Sequence, residues 1–465
     1  MLSKERKISR RSFLQGSAFL TAGSLLSACQ GMPAGLPAAA TPATLAEAVD
    51  WIQAADVSKM SPATVRYWYY ETPERTALGK RQVATFSKIH PNIKIDGRVA
   101  PPAVDNEMLV AYIKAGTNSH VHQSVCNEDT WYITRDLLHP LEDLPGFEEI
   151  WGRLNPNLNY TWKDGHIYAM SWYFSPMTMY YNKKLVVAAG LDPENPPTTY
   201  SQYLEWAKAL TKEGQWFLNL SLGEEWWRWQ FIVYPFYIAA TGSNQLHSED
   251  GKVAVFNNPE MLGVYELIDT LFANEYNIRE VGGSNPFYSG KVAATLSGAS
   301  LLSNIKRYAP PDFEMIAGPV PKPDDSTVEG FHTYGFTREF ALLREQEKTG
   351  EEADRINRGA WEFMKFLLSP EEAAADFDAQ GDFPAQADLT ANPIYEEIFN
   401  DLGPVSRWVA DYAKGAYIYD MNTHLESESM AILTQSYLAT IFDKQTAVEA
   451  VQWAEAEVNK LLAAG

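Results

Sequence analysis

The stretch "TVRYWYY", Thr64 to Tyr70, with "PERTALGKRQVATFSKIHP", Pro73 to Pro91, and "NIKIDGRVA", Asn92 to Ala100, decides the fold class. The first piece is β-branched and aromatic throughout, the composition that suits a pleated, half-buried surface. The second meets no proline between Pro73 and Pro91, and Pro91 cannot continue a helix. The third sets Ile93 and Ile95 two apart among polar residues, a strand period. A strand, a helix and a strand in this order form a parallel pair joined by a crossover helix. The chain is therefore expected to be α/β.

Working outward, several helix starts are legible. "TYSQ", Thr199 to Gln202, reads as a capping box before Tyr203, Ala207 and Leu210, which share a face. "NNPE" puts Asn258 at a cap and Pro259 in the first turn. "SPEE", Ser369 to Glu372, repeats that logic, and Gly381 is placed to end the helix. "SEDGKVAVFNN", Ser248 to Asn258, predicts a turn at Asp250–Gly251 running into a strand, and from residue 396 the chain reads as largely helical.

The N-terminal end has another logic. "ISRRSFLQ", Ile8 to Gln15, is basic, and "GSAFLTAGSLLSA", Gly16 to Ala28, is apolar and ends in small residues. That pattern is an export signal, too short for a membrane span of about 20 apolar residues. "SRRSFLQ" resembles the twin-arginine export motif, and "LSAC", Leu26 to Cys29, resembles the lipoprotein processing box. The resemblance implies cleavage before Cys29 and lipid on its sulfur and amino group. Residues 1–28 are then the leader, and 29–62 a tether whose "QGMPAGLPAAATPA" is a Pro/Ala/Gly spacer.

The formal net charge is −21, and removing the leader's five basic residues and one acidic residue leaves −25. Such a chain is a poor partner for nucleic acid, whose binding rests on basic contacts to phosphate. Of the two cysteines, Cys126 stands alone once Cys29 is lipidated, so no internal disulfide forms.

There is no P-loop, G-x-G-x-x-G, G-x-S-x-G or H-E-x-x-H motif. "HVHQSVCNED", His120 to Asp129, offers zinc-type ligands, but no second ligand pair has metal-like spacing; it reads as a strand entering a loop. No metal and no cofactor is expected. In "EEWWRW", Glu224 and Glu225 are neighbours whose side chains diverge, a poor glycosidase pair. Trp226 and Trp229, three apart on a helix, would share a face. With 14 Trp, 24 Tyr and 21 Phe set among carboxylates, the composition suits sugar binding. Aromatic faces cover pyranose C–H groups while Asp, Glu, Asn and Arg satisfy hydroxyls.

The segment "HIYAMSWYFSPMTMYYNKKLVVAAGLDPENPPTTYSQYLEWAKALT", His166 to Thr211, resembles the bacterial extracellular solute-binding proteins of the maltose-binding type. "ATGSNQLHSEDGKVAVFNNPEM", "FYSGKVAATLSGASLLSNI" and "AWEFMKFLLSPEEAAADFDAQGDFPA" match further blocks of that family in the same order. The resemblance implies a periplasmic-binding-protein-like fold of two discontinuous α/β lobes joined by a hinge, with 63–170 and 288–345 as lobe 1 and 171–287 and 346–465 as lobe 2. It implies a non-enzymatic, monomeric, lipid-anchored receptor outside the cytoplasm. The receptor captures a carbohydrate between its lobes and delivers it to the permease of an ABC importer. By position, the ligand-binding candidates are Tyr70, Glu71, Asn127 and Glu128 on the first lobe and Trp172, Tyr173, Trp226, Trp227 and Arg228 on the second. Ser300, Tyr334 and Phe383 join them from the returning segments. The family often has Pro where Ser171 stands and Trp where Ser300 stands, so a neighbouring ring must supply that stacking surface. The same fold with another solute, such as a glycerol phosphate or a polyamine, is the alternative. A surface glycoside-active enzyme and a surface lipoprotein without a transport role are others.

Overall fold

A computed structural model describes residues 57–69, 72–99, 106–124, 126–220, 222–279, 285–345 and 348–464. At 59, 106, 107 and 126–128 it describes the backbone alone. The leader, Cys29 and the tether up to residue 56 lie outside the described residues, as do Tyr70 and Glu71.

The strand–helix–strand reading holds. Strand β1 (Ala63–Tyr69) and strand β2 (Ile93–Val99) pair in parallel, joined by the helix Pro73–Ile89. Thr72 caps that helix by accepting from Arg75 N at 3.3 Å, and Pro73 occupies its first turn, where a missing N–H costs nothing. A further strand, β3 (Val121–Ser124), pairs in parallel with β1.

The chain then runs through β4 (Ala169–Pro176), β5 (Thr178–Asn182), β6 (Ala294–Ser297), β7 (Met315–Gly318), β8 (Thr333–Leu342), β9 (Phe383–Pro384) and β10 (Ala416–Tyr417). Two sheets result. The larger is ordered β2-β1-β3-β8-β4-β9, with β10 beside β8, and the smaller is β6-β5-β7. In the larger sheet β8 is antiparallel to both β3 and β4. The register between β4 and β8 slips between Ser171 and Tyr173, so Trp172 is the extra residue of a β-bulge.

Both sheets are covered on both faces, as period two requires. On β1, Val65, Tyr67 and Tyr69 enter a core shared with Phe86, Trp361 and Phe363, while Trp68 faces the other way onto Tyr112. On β5, Met179 and Tyr181 point into one core and Tyr180 into another. The long buried helices show the expected stripe. In Pro259–Ala273, capped by Asn258 accepting from Met261 N at 2.9 Å, the residues Met261, Val264, Tyr265, Ile268, Leu271 and Phe272 are buried.

Within 288–345, β6 and β7 pair with β5, whereas β8 belongs to the larger sheet. Within 346–465, the helix Glu351–Leu367 packs Ala360, Trp361, Phe363 and Met364 against the larger sheet. The helices Glu426–Ile441 and Ala447–Ala464 pack with the β5 side instead.

Three local expectations come out differently. Thr199 makes no side-chain cap; instead Gln202 Oε1 accepts from Thr198 N at 3.0 Å and from Thr198 Oγ1 at 3.1 Å. The Asp250–Gly251 turn forms with Gly251 at φ +70°, where glycine is at home, but only an isolated bridge between His247 and Ala254 follows it. Trp226 precedes the helix Arg228–Ile232 and does not share its face with Trp229. Among the described residues no helix is long and apolar enough to cross a membrane.

Candidate solute-binding site

A cavity of about 380 Å³ opens where β4 leaves the larger sheet and the chain turns into β5. Ser175 and Met177 line it from this crossover, and Phe336 lines it from β8. Leu296, Ser297, Gly298 and Ser300 come from the end of β6 and the turn after it. Asn219, Leu220, Trp227, Arg228, Phe231 and Ile232 close one side, and Asp382 closes the floor. The volume suits a small ligand, since such pockets run from ~300 to 1,000 Å³. The position follows the general rule that α/β sheets bind ligands beyond strand carboxyl ends.

One wall is aromatic. Trp227 meets Phe231 edge-on at 6.0 Å, and Phe231 lies 5.3 Å from Phe336. The Arg228 guanidinium stacks 4.1 Å above the Trp227 ring and is paired with Glu225 at 3.0 Å. That hydrogen-bonded pairing holds the exposed Glu225 carboxyl down at about 2. A charged group therefore presents ring and donor together.

The opposite wall is polar and built on Asp382. Ser175 Oγ donates to Asp382 Oδ1 at 2.7 Å and accepts from Ala299 N at 2.7 Å. The backbone N–H and hydroxyl of Ser300, the residue before helix Leu301–Tyr308, also bond to Asp382. Gly298 is required at this corner, because a Cβ there would overlap Ser175 Oγ. Burial pushes Asp382 up, opposed by Arg75 and by the serine donors.

Behind the floor stands Arg75, from the first turn of helix Pro73–Ile89. It pairs with Asp382 at 3.5 Å, donates to Gln380 Oε1 at 3.2 Å and lies 4.9 Å above the Tyr173 ring and 5.8 Å from the Trp172 ring. Burial disfavours its charge, but Tyr173, Asp376 and Asp382 more than compensate and raise it. Arg75 is thus the link between the larger sheet's first helix and the cavity floor.

Of the candidates named from sequence, Trp227, Arg228 and Ser300 line the cavity. Tyr173 and Trp172 stand one layer behind it through Arg75, with Trp172 stacked on Phe340 at 4.8 Å. Trp226 instead packs on the core of the β5 side, its carbonyl accepting from Thr434 Oγ1 at 3.0 Å. Tyr334 and Phe383 are core residues, 1% and 0% exposed, and neither lines this cavity. Tyr334 is drawn inward by its hydrogen bond with Gln230, and Phe383 by packing on Phe174, Phe377 and Phe399. Asn127 and Glu128 open the helix Cys126–Ile133, and their side chains lie outside the described atoms. His120 is not offered to a metal: its Nε2 bonds Glu345 at 2.8 Å and its Nδ1 accepts from Arg66 N at 3.0 Å.

Sequence reasoning missed Arg75, Ser175, Phe231, Phe336 and Asp382. One signal was available for two of them. Ser175 is a polar residue inside an apolar strand, and Asp382 follows the helix-ending Gly381 directly.

A model of the bacterial extracellular solute-binding protein family matches residues 81–398. The chain belongs to that family. Among curated relatives, the sn-glycerol-3-phosphate-binding periplasmic protein UgpB of Salmonella typhimurium is 27% identical over 228 residues, 48% of this chain and 50% of the relative. The Escherichia coli UgpB is 27% identical over 244 residues, 50% of this chain and 53% of the relative. The chain spans about half the length of the curated relatives it matches. Among solved structures, the cyclic alpha-maltosyl-1,6-maltose binding protein of Arthrobacter globiformis superposes with a TM-score of 0.72 at 19% identity, over 87% of this chain and all of that one. The sugar-binding protein MalE of Xanthomonas citri gives 0.71 at 18% identity, over 86% and 98%. The fold of this solute-binding protein is therefore the two-lobed periplasmic sugar-binding fold. The family and these neighbours are binding proteins, and the family is extracytoplasmic.

Proposed function

We propose that this solute-binding protein captures a small, uncharged carbohydrate in the cavity between Trp227 and Asp382. It is held at the membrane by lipid on Cys29 and hands the sugar to an ABC importer. The observation that carries the reading is the pairing of an aromatic wall, Trp227, Phe231 and Phe336, with a floor of Asp382, Ser175 and Ser300. Indole and phenyl faces suit the C–H faces of a sugar ring, and the floor suits its hydroxyls. The sugar-binding neighbours of the same fold support it. Bending at the β4–β5 crossover and at β8 would close the two lobes over the ligand.

The UgpB relatives and Arg228 at the cavity favour one other reading, a glycerol phosphate. Charge argues against it. Arg228 is paired with Glu225, Arg75 with Asp382, and of the amides before helix Leu301–Tyr308 that of Ser300 already bonds the Asp382 carboxyl while that of Ala299 donates to Ser175 Oγ. The helix terminus that a phosphate would use is thus occupied by an internal anion.

Thermal shift of the purified chain across mono- and disaccharides and glycerol 3-phosphate tests the choice. A ligand at 100 times its dissociation constant adds about 2.7 kcal/mol. A neutral sugar giving the largest shift is the expected result; a shift with glycerol 3-phosphate alone would replace the carbohydrate reading. Incubation with the best sugar is expected to return it unchanged, and turnover would make the protein an enzyme.

A further inference from the structure

Away from the cavity, two segments distant in sequence converge, one bringing His247 and the other Asp420 and Glu426, each side chain no more than 2% exposed. His247 Nδ1 lies 3.0 Å from Asp420 Oδ2 and 3.6 Å from Glu426 Oε2, and one ligand atom from each residue lies within 4.8 Å of the others. Asp420 is already fixed in place. Its Oδ2 accepts from the backbone N–H groups of Leu246 and His247 at 2.7 Å, and its Oδ1 from Asn422 N at 2.9 Å. Glu426 is different: both of its carboxylate oxygens are buried and neither has a hydrogen-bond partner.

A buried carboxylate without a donor or a cation is among the most costly arrangements a core can hold. Among the described residues no Lys or Arg pairs with Asp420 or Glu426; only His247 does. With both carboxyls ionised, even an imidazolium would leave one negative charge uncompensated, whereas a divalent cation beside neutral His247 would balance both.

We propose that His247 Nδ1, one Asp420 oxygen and one Glu426 oxygen bind a divalent metal ion of the zinc or manganese class. Ligand atoms roughly 2.0–2.2 Å from such an ion stand roughly 3–3.6 Å from one another, as His247 stands to both carboxylates. His247 Nε2 lies 3.2 Å from Ser429 Oγ, so with Nδ1 on the metal its N–H would donate there, the usual second contact of a ligating histidine. One imidazole with two carboxylates favours zinc or manganese over calcium, which takes six to eight oxygens. The ion would tie the turn before β-bridge residue Ala254, the segment around Asp420 and the first residue of helix Glu426–Ile441 into one unit.

The test uses the full purified chain, stripped with chelator, then dialysed with Zn²⁺, Mn²⁺ or Ca²⁺ alone and analysed for bound metal by atomic emission. About one Zn²⁺ or Mn²⁺ per chain is expected, with a melting temperature raised by the ion. Glu426→Gln, nearly isosteric, is expected to weaken binding at least tenfold and to remove the ion-dependent rise in melting temperature. His247→Gln is the second variant, and circular dichroism with an unchanged sugar-induced thermal shift shows that each is folded. Failure of the parent chain to bind Zn²⁺ or Mn²⁺, a preference for Ca²⁺, or equal metal binding by both folded variants overturns the proposal. None of these outcomes bears on the sugar cavity.

Discussion

Arg75 reaches from the first turn of helix Pro73–Ile89 to 3.5 Å from Asp382, so the cavity floor takes its counter-charge from the larger sheet's side of the molecule. Both side chains are nearly buried, at 13% and 9% exposure. A pair so placed is worth little against apolar residues of the same shape, yet breaking it strands a charge.

Arg75→Gln should therefore lower stability by about 3 kcal/mol and weaken sugar binding by at least tenfold, read by thermal melting and calorimetry. Unchanged affinity in a folded variant would detach Asp382 from the binding surface.

The carboxyl of Asp376, pushed up to about 7 by burial and by Asp382 and Glu372 against the pull of Arg75, carries a pH dependence. The native state holds this proton more tightly than the unfolded chain, whose carboxyl titrates near 4. Its contribution is full below about pH 4 and is lost as pH rises to about 7, at up to ~1.4 kcal/mol per pH unit. Asp376→Asn should flatten that slope and raise the melting temperature at pH 8. Melting curves at pH 5 and pH 8 for both proteins decide it; identical slopes would place the titration elsewhere.

Two adjacent tryptophans should separate cleanly. Trp227→Ala is expected to cost at least tenfold in affinity with little change in melting temperature, because its ring lines the cavity. Trp226→Ala is expected to do the reverse, with a loss below the ~3–5 kcal/mol of a fully buried indole, because it packs half-buried on the core. The paired readout is affinity and melting temperature for each; matching profiles would refute the division.

Gly298→Ala should damage the floor without touching the aromatic wall. Its Cβ must displace Ser175, which would release Asp382 and Ala299 N together. The expected outcome is a loss of sugar affinity of at least tenfold with Trp227 fluorescence still responding to saturating ligand. Normal affinity would show that Ser175 is dispensable.

What the sequence made legible was local. The period of β2 and the Asn258 and Ser369 caps each rest on residues a few positions apart. The Thr198–Gln202 bond is equally local but uses the preceding residue of a threonine pair, which no pattern separates. Burial of Tyr334 was not legible, since it depends on Gln230 and Tyr419 from other segments. Trp226 and Trp227 are identical letters whose roles are divided by the one-residue offset at which helix Arg228–Ile232 begins. His247 lies far in sequence from Asp420 and Glu426, and the fold alone brings it to them.

The place of β8 between β3 and β4 has a consequence for how the protein is made. A ribosome delivers β3 and β4 long before Thr333 emerges, and until then each presents a bare strand edge on the side that β8 will fill. Such edges recruit other chains. The nascent polypeptide therefore spends most of its synthesis unable to complete its larger sheet, and the slow, non-local closure by β8 is its hazardous step. A truncation ending before Thr333 would yield an aggregating fragment and no working half-receptor.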